Sequence, residues 1–432
     1  MTVDPDVSRP FAPTEADLKE MVEILQAARG GAADSAERQE ESGRAVDRLP
    51  EHLPREGVGA AEALAAIGAT LTGFARFDDP VWAAHLDTPK PWVGWAGSLW
   101  AAATGQDLAH RRSAPVARLL EKRLQSWLAP IWGMNTGLLV PDQAQANLTA
   151  LWAARDSAGI SRVVVSEAAH RSVSKAARVL GLSFVTLPCG DDDRLDLAAL
   201  GDYARREPDQ FRRSAVVLSV GTPGAGAVDP IKAARRAVAA MGTEAGWWHV
   251  DTGWCGPLAL DTRSAQVFEG ISRVDSVSAV LHSWMFAPVP SAFVGFRDRA
   301  RMVGALRYAD DEGDSQLGLS DSRGAAALAP MLVLLAYGAD GVARWVRHGL
   351  DVLAEIETSL RANPEIELFA HQSLGMLLWR PRSGSVGAVF DRLNPVAGSL
   401  VTVGGRQWIR HVATGPMLDA ERLLVEINRA RL

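Results

Sequence analysis

Between residues 140 and 300, short apolar runs rich in β-branched residues alternate with amphipathic stretches at helical spacing. The runs 162–166 (Arg-Val-Val-Val-Ser), 183–187, 214–219, 247–251, 276–280 and 292–296 predict buried strands. The stretches 144–157, 172–180, 197–205 and 230–241 predict the intervening helices. Such alternation implies an α/β fold with a mostly parallel central sheet flanked by helices. Ligands in these sheets bind outside the carboxyl ends of the strands, so polar residues there carry the most information.

The flanks differ. Residues 1–55 predict an N-terminal helical arm, with Thr14 in Pro13-Thr-Glu-Ala-Asp17 as a helix start and the polar stretch 31–48 as a link or exposed helix. Helical spacing continues at 61–71 and 99–128, separated by the Pro/Gly/Trp-rich 87–97. A polar stretch runs from 299 to 320, and a long helix or helix pair is expected over 325–361. A small lobe follows, with strands at 366–369, 374–379, 400–403 and 407–411 and helices at 385–393 and 418–431. Three regions result: the arm (1–55), a large α/β domain (56–320) and a small C-terminal α/β domain (321–432).

Composition narrows the function classes. With 432 residues, 47% hydrophobic, the chain can bury a large core. A net charge of −6 without a basic stripe argues against a nucleic-acid partner. The start of the sequence has no apolar signal region, and no apolar run is long enough to span a membrane, so a cytoplasmic protein is expected. Cys189 and Cys255 lie far apart without CxxC spacing, which predicts neither a disulfide framework nor a zinc site. Lysine is confined to Lys19, Lys90, Lys122, Lys175 and Lys232.

Several segments together resemble the group II (aromatic-L-amino-acid/glutamate type) decarboxylases of pyridoxal-phosphate fold type I. Val163-Val-Val-Ser-Glu-Ala-Ala-His170 is similar to the strand and loop that deliver the family's ring-stacking histidine. Gly221-Thr-Pro-Gly-Ala-Gly-Ala-Val-Asp-Pro230 resembles a family turn, which places Thr222 beside the pocket. His249-Val-Asp-Thr-Gly-Trp254 resembles the strand end whose aspartate, here Asp251, pairs with the pyridine nitrogen. Asn147-Leu-Thr-Ala-Leu151 matches the helix behind the cofactor phosphate, and His282-Ser-Trp284 the step that carries the Schiff-base lysine. The resemblance covers roughly residues 60–430. It implies an aminotransferase-like fold, a homodimer with the cavity at the subunit interface, and an arm that wraps the partner.

Two departures bear on chemistry. Ser283 stands in the lysine position, and a hydroxyl can neither form an imine nor shuttle protons efficiently near neutrality. Covalent pyridoxal phosphate at the usual position is therefore impossible. The glycine-rich phosphate cup is replaced by Asp142-Gln143-Ala-Gln-Ala-Asn147. A carboxylate at Asp142 facing a phosphate at ~5 Å and an effective dielectric of about 20 costs on the order of 3 kcal/mol per charge pair. Non-covalent pyridoxal or pyridoxamine phosphate is disfavoured on that ground. Lys90, in Pro89-Lys-Pro-Trp92, is the one candidate for a substitute amine; a solvated loop lysine is its plainer reading.

Among the remaining polar groups, His249 and Asp251 are i, i+2 on one strand and share a face. With His170 and His282 they form an acid/base set, a two-His–one-carboxylate metal site, or an inherited constellation whose members bond one another. Asp251, His170 and His282 are the catalytic candidates, and no metal is assigned. Ser283 as a nucleophile is opposed by its neighbour His282 pointing away along an extended segment and by the lack of a Gly-x-Ser-x-Gly elbow. Trp92, Trp95, Trp100, Trp247, Trp248, Trp254 and Trp284 fall in segments near the expected cavity and either cage a flat ligand or pack the core. Arg410 resembles a family arginine that meets a substrate carboxylate, or else forms a surface salt bridge; Tyr308 lies in the stretch matching the family's mobile loop.

Three functions fit these residues. The first is an enzyme of specialised metabolism, independent of covalent pyridoxal phosphate, acting on an amino-acid-derived or aromatic small molecule. The second is a non-catalytic homologue, serving as a ligand sensor or as partner subunit of an active decarboxylase in a heterodimer. The third is a protein that uses pyridoxal or pyridoxamine phosphate non-covalently or through Lys90.

Overall fold

Valine, leucine and phenylalanine runs too short and too apolar for surface helices form the main sheet of this computed structural model, which describes residues 14–29, 36–109, 112–307, 317–320, 322–369 and 374–432. The strands are β1 (Thr136–Val140), β2 (Arg162–Ser166), β3 (Ser183–Leu187), β4 (Ser214–Ser219), β5 (Trp247–Gly253), β6 (Ser276–Val280) and β7 (Ala292–Phe296). Their order is β1-β7-β6-β5-β4-β2-β3. All neighbours are parallel except β7, which is antiparallel to both β1 and β6. Every residue of β4, β6 and β7 is buried, as expected for strands covered on both faces.

Most strands coincide with the expected runs, and 162–166, 183–187, 214–219, 276–280 and 292–296 do so at both ends. β1 was not foreseen. Its Gly137 lies against Phe293 of β7, where an added Cβ would sit 2.2 Å from the ring. The 99–128 helix is two helices, Trp92–Thr104 and Pro115–Leu128. Gly105 ends the first in the left-handed region (φ 55), and Pro115 opens the second. The Pro/Gly/Trp-rich 87–97 is accordingly a linker only up to Pro91. The 325–361 segment is the helix Leu328–Arg361, broken at Gly338 (φ 66, ψ 177).

The small sheet comprises β8 (Ile366–Leu368), β9 (Met376–Pro381), β10 (Ser399–Val403) and β11 (Arg406–Val412), all antiparallel in the order β10-β11-β9-β8. Two compact units divide the chain, Met1–Asp79 and Pro80–Leu432. The first holds the helices Glu15–Arg29, Ala36–Asp47 and Ala60–Gly68, so the polar stretch 31–48 is helical over much of its length. Both sheets and the candidate site belong to the second. No helix among the described residues is long and apolar enough to cross a membrane.

Candidate functional site

Parallel pairing of β5 with β6 sets His249 opposite Ser276 and Asp251 opposite Ser278. Alternate residues share a face, and three of these polar side chains, His249, Asp251 and Ser278, meet Asn147 in the helix Gln143–Ala158. Asn147 donates from Nδ2 to Asp251 Oδ2 (2.8 Å) and to Ser172 Oγ (2.8 Å). Its Oδ1 accepts from Ser278 Oγ (2.7 Å) and from His249 Nε2 (3.0 Å). On the other side of the ring, Trp247 Nε1 donates to Ser276 Oγ (2.8 Å), which leaves the Ser276 hydroxyl proton for His249 Nδ1 (2.8 Å). The chain of bonds fixes a neutral imidazole, and complete burial pushes its pKa down to about 3.

Asp251 is equally enclosed. Besides Asn147, it accepts from the Gly253 amide (2.9 Å) and from Gln143 Nε2. Only the NH₂ end of an amide can face a carboxylate, so the orientation of Gln143 is chemically determined. The same nitrogen contacts Ser278 Oγ at 2.7 Å, and Gln143 Oε1 is left buried with no partner among the described residues. Burial raises the Asp251 pKa against the lowering influence of Asn147 and of the nearby His170 charge.

Asp142 caps the same helix: its carboxylate accepts from the Gln145 amide at 2.8 Å. One of the N–H groups that a bound anion would use is thereby occupied by the protein's own negative charge. His170 caps the next helix, Arg171–Val179, with Nδ1 accepting from the Ser172 amide (3.3 Å) and lying 2.7 Å from its hydroxyl. Its ring is exposed and coupled to Asp251 only through Ser172, Asn147 and charge.

The return from β6 to β7 carries Ser283. The turn is closed by Phe286 N donating to Ser283 O (2.9 Å) and Ala287 N donating to Leu281 O (3.0 Å), with Phe286 in the left-handed region (φ 57). Ser283 is buried, and its hydroxyl makes no hydrogen bond among the described residues. Lys90 lies against this turn. Its Nζ donates to the His282 carbonyl and to Thr88 Oγ1 (2.6 Å), and the fully buried Thr88 donates in turn to Ser283 O (3.1 Å). Desolvation pushes the amine down to about 8 against the opposing pull of Asp87. The expectation of a solvated loop lysine is overturned: the segment 87–91 folds under the turn rather than out into water. Lys175 is exposed, and Lys232 pairs with Glu269 at the surface.

His282 donates from Nδ1 to Ser291 O (3.0 Å), so Nε2 carries the lone pair and has no partner among the described residues. Burial lowers its pKa, and the charges of Lys90, Asp87 and Asp142 all act on it. Two groupings therefore emerge. His249 and Asp251 form an internally satisfied network behind the site, while Lys90 and His282 form a less saturated pair beside Ser283.

Other expectations are corrected. Arg410 forms no salt bridge among the described residues: it is buried, and its guanidinium donates to Pro223 O (2.5 Å) and Ser399 Oγ (3.1 Å). Thr222 is fully buried in its turn, donating to Asp193 Oδ2 at 2.6 Å. Trp247 and Trp248 are buried at the amino end of β5, where Trp247 bonds to Ser276 and cages no ligand, and Trp92 and Trp100 are exposed. Trp254 packs on Trp284 at 4.6 Å, which makes a core pair and not an open cage; Trp254 Nε1 has no partner among the described residues. Tyr308 lies outside the described residues. Sequence reading placed Asn147 in the helix behind the cofactor phosphate but not as a hub, and overlooked the staple Thr88 and the contact of Gln143 with Asp251. The polar alternation Ser276, Ser278 within an apolar strand was the available hint for the hub.

Residues 46–381 match the model of the pyridoxal-dependent decarboxylase conserved domain. The chain belongs to this family. It is 27% identical over 352 residues to an L-2,4-diaminobutyrate decarboxylase of Rhizobium meliloti (strain 1021), covering 76% of this chain and 70% of that protein. It is 24% identical over 380 residues to an aromatic-L-amino-acid decarboxylase of Bacillus atrophaeus, covering 82% and 78%. Among solved structures, mouse CSAD superposes with a TM-score of 0.84 at 18% identity (96% of this chain, 98% of that chain). Oryza sativa TDC with PLP and tryptamine gives 0.83 at 19% (100% and 98%). The fold is accordingly the type I architecture of the pyridoxal-phosphate decarboxylases.

Proposed function

We propose that this family member works without pyridoxal phosphate and acts on a small amino-acid-derived or aromatic molecule at the site between Asp251 and the Ser283 turn. The observation that carries this reading is the Gln143 amide on Asp251. The resemblance assigns that carboxylate to a pyridine nitrogen, and here a side chain of the protein already holds it. The residues do not fit the cofactor in two further respects. Ser283 offers no amine, and Asp142 caps the helix end where a phosphate would bind. The relatives' names point to amino-acid and aromatic ligands. Asp251 and His249 then position other groups, and His282, with its Nε2 lone pair open, is the proton acceptor.

A non-catalytic homologue is the second reading, favoured by the saturation of Asp251 and His249. The exposed apolar side chains Trp92, Trp100, Val116 and Leu119 on neighbouring helices support assembly as a homodimer in either case. The test is to titrate the purified protein with pyridoxal phosphate and record visible absorbance and binding heat. No aldimine band and no tight binding are expected; a coloured protein with the cofactor attached to a side-chain amine would overturn the proposal. Incubation with aromatic amino acids, followed by mass spectrometry of the products, separates the two readings: turnover that His282→Ala abolishes supports the enzyme.

A further inference from the structure

The geometry points to Lys90 as a relocated amine nucleophile that forms an imine with a small aldehyde at the Ser283 turn. The inference rests on the reading that position 283 and its cofactor chemistry are out of use, but it concerns a different atom and is tested separately.

Both contacts of Lys90 are donations, to the His282 carbonyl and to the Thr88 hydroxyl, whose own proton is directed to the backbone carbonyls of Ser283 (3.1 Å) and His282 (3.4 Å). A neutral amine has two N–H bonds and can keep both contacts, with its lone pair directed away from the two acceptors. Lys90 makes no ion pair among the described residues that deprotonation would break. The charged and titratable groups around it are Asp87, which favours the ammonium, and His282, with Asp142 acting on His282. Burial outweighs Asp87 and holds the amine near 8, so a substantial fraction is neutral close to physiological pH. An amine anchored on two sides and partly covered favours the least hindered carbonyl, hence an aldehyde.

The step balances without a further reactant. His282 Nε2 or water takes the ammonium proton, the Lys90 nitrogen bonds to the aldehyde carbon, and a proton passes from nitrogen to the carbonyl oxygen. The carbinolamine then loses that oxygen as water as the C=N bond forms. A solvated lysine, ordinarily near 10.5, would have on the order of a hundredfold less neutral amine near neutral pH.

The experiment uses the full-length protein with phenylacetaldehyde, borohydride trapping and peptide mass spectrometry. A reduced adduct on the Lys90 peptide is expected ahead of those on the exposed lysines at neutral pH, with a labelling midpoint near 8. Lys90→Arg, which keeps the charge and donors, should remove it. Should that variant not fold, the site distribution and pH midpoint of labelling in the unaltered protein decide alone. Labelling of Lys90 no faster than of the exposed lysines overturns the inference. A parallel arm with pyridoxal phosphate keeps the two ideas apart: a trapped pyridoxyl group on Lys90 would leave the reactive amine standing and overturn the proposed function instead.

Discussion

His249 illustrates how completely one residue's chemistry is set by its neighbours. Held between Ser276 and Asn147, it stays unprotonated in the folded chain down to about pH 3, and the buried His411 does so to about 4. In the unfolded chain both titrate near 6.5. The unfolded state therefore binds more protons below that value, and stability is lost as pH falls from 6.5, by up to ~1.4 kcal/mol per pH unit for each ring. Asp229, pushed up to about 6 by burial, works in the opposite sense below its own value. Urea unfolding between pH 6.5 and 4 should show a shallower pH dependence for His249→Gln than for the unaltered chain. Identical slopes would mean that His249 accepts a proton while folded. The cofactor question has its own residue test. Ser283→Lys alone should not restore stoichiometric pyridoxal phosphate, whereas combining it with Gln143→Ser and Asp142→Gly should raise affinity at least tenfold. Equal affinity in the single and triple variants, read by absorbance titration, would remove Gln143 and Asp142 from the account.

At the level of elements, what local pattern could reveal was largely visible in the chain, because β-branched runs such as 162–166 and 214–219 carry their own strand preference. β1 escaped because its Thr-Gly start looks like a turn, and only the Phe293 ring packed over Gly137 explains it. Asp251 and His249 were likewise evident from their strand end. Their saturation was not, since Asn147 and Gln143 reach them from more than a hundred residues away in sequence. The break in Leu328–Arg361 makes a further prediction. Gly338 occupies a backbone region that side chains avoid, with open space around it, so Gly338→Ala should destabilise the fold by ~1–3 kcal/mol through strain alone. Chemical denaturation measures this, and a change below a few tenths of a kcal/mol would show that the helix can straighten there.

For the whole molecule, the exposed Trp100 and Leu119 set the expectation. Light scattering should report a dimer for the unaltered protein and a monomer for Trp100→Glu/Leu119→Glu with unchanged secondary structure. A monomeric parent would remove the second copy from the picture. The antiparallel placement of β7 has a longer reach. Because the chain doubles back from β6 into the strand next door, the tip between them is pinned at both ends by sheet bonds and closed by its own amides. Whatever side chain occupies position 283 is presented from a socket whose rigidity owes nothing to that side chain. Such a scaffold can shed its reactive group without unravelling, and selection is then free to recruit a different neighbour to the same spot.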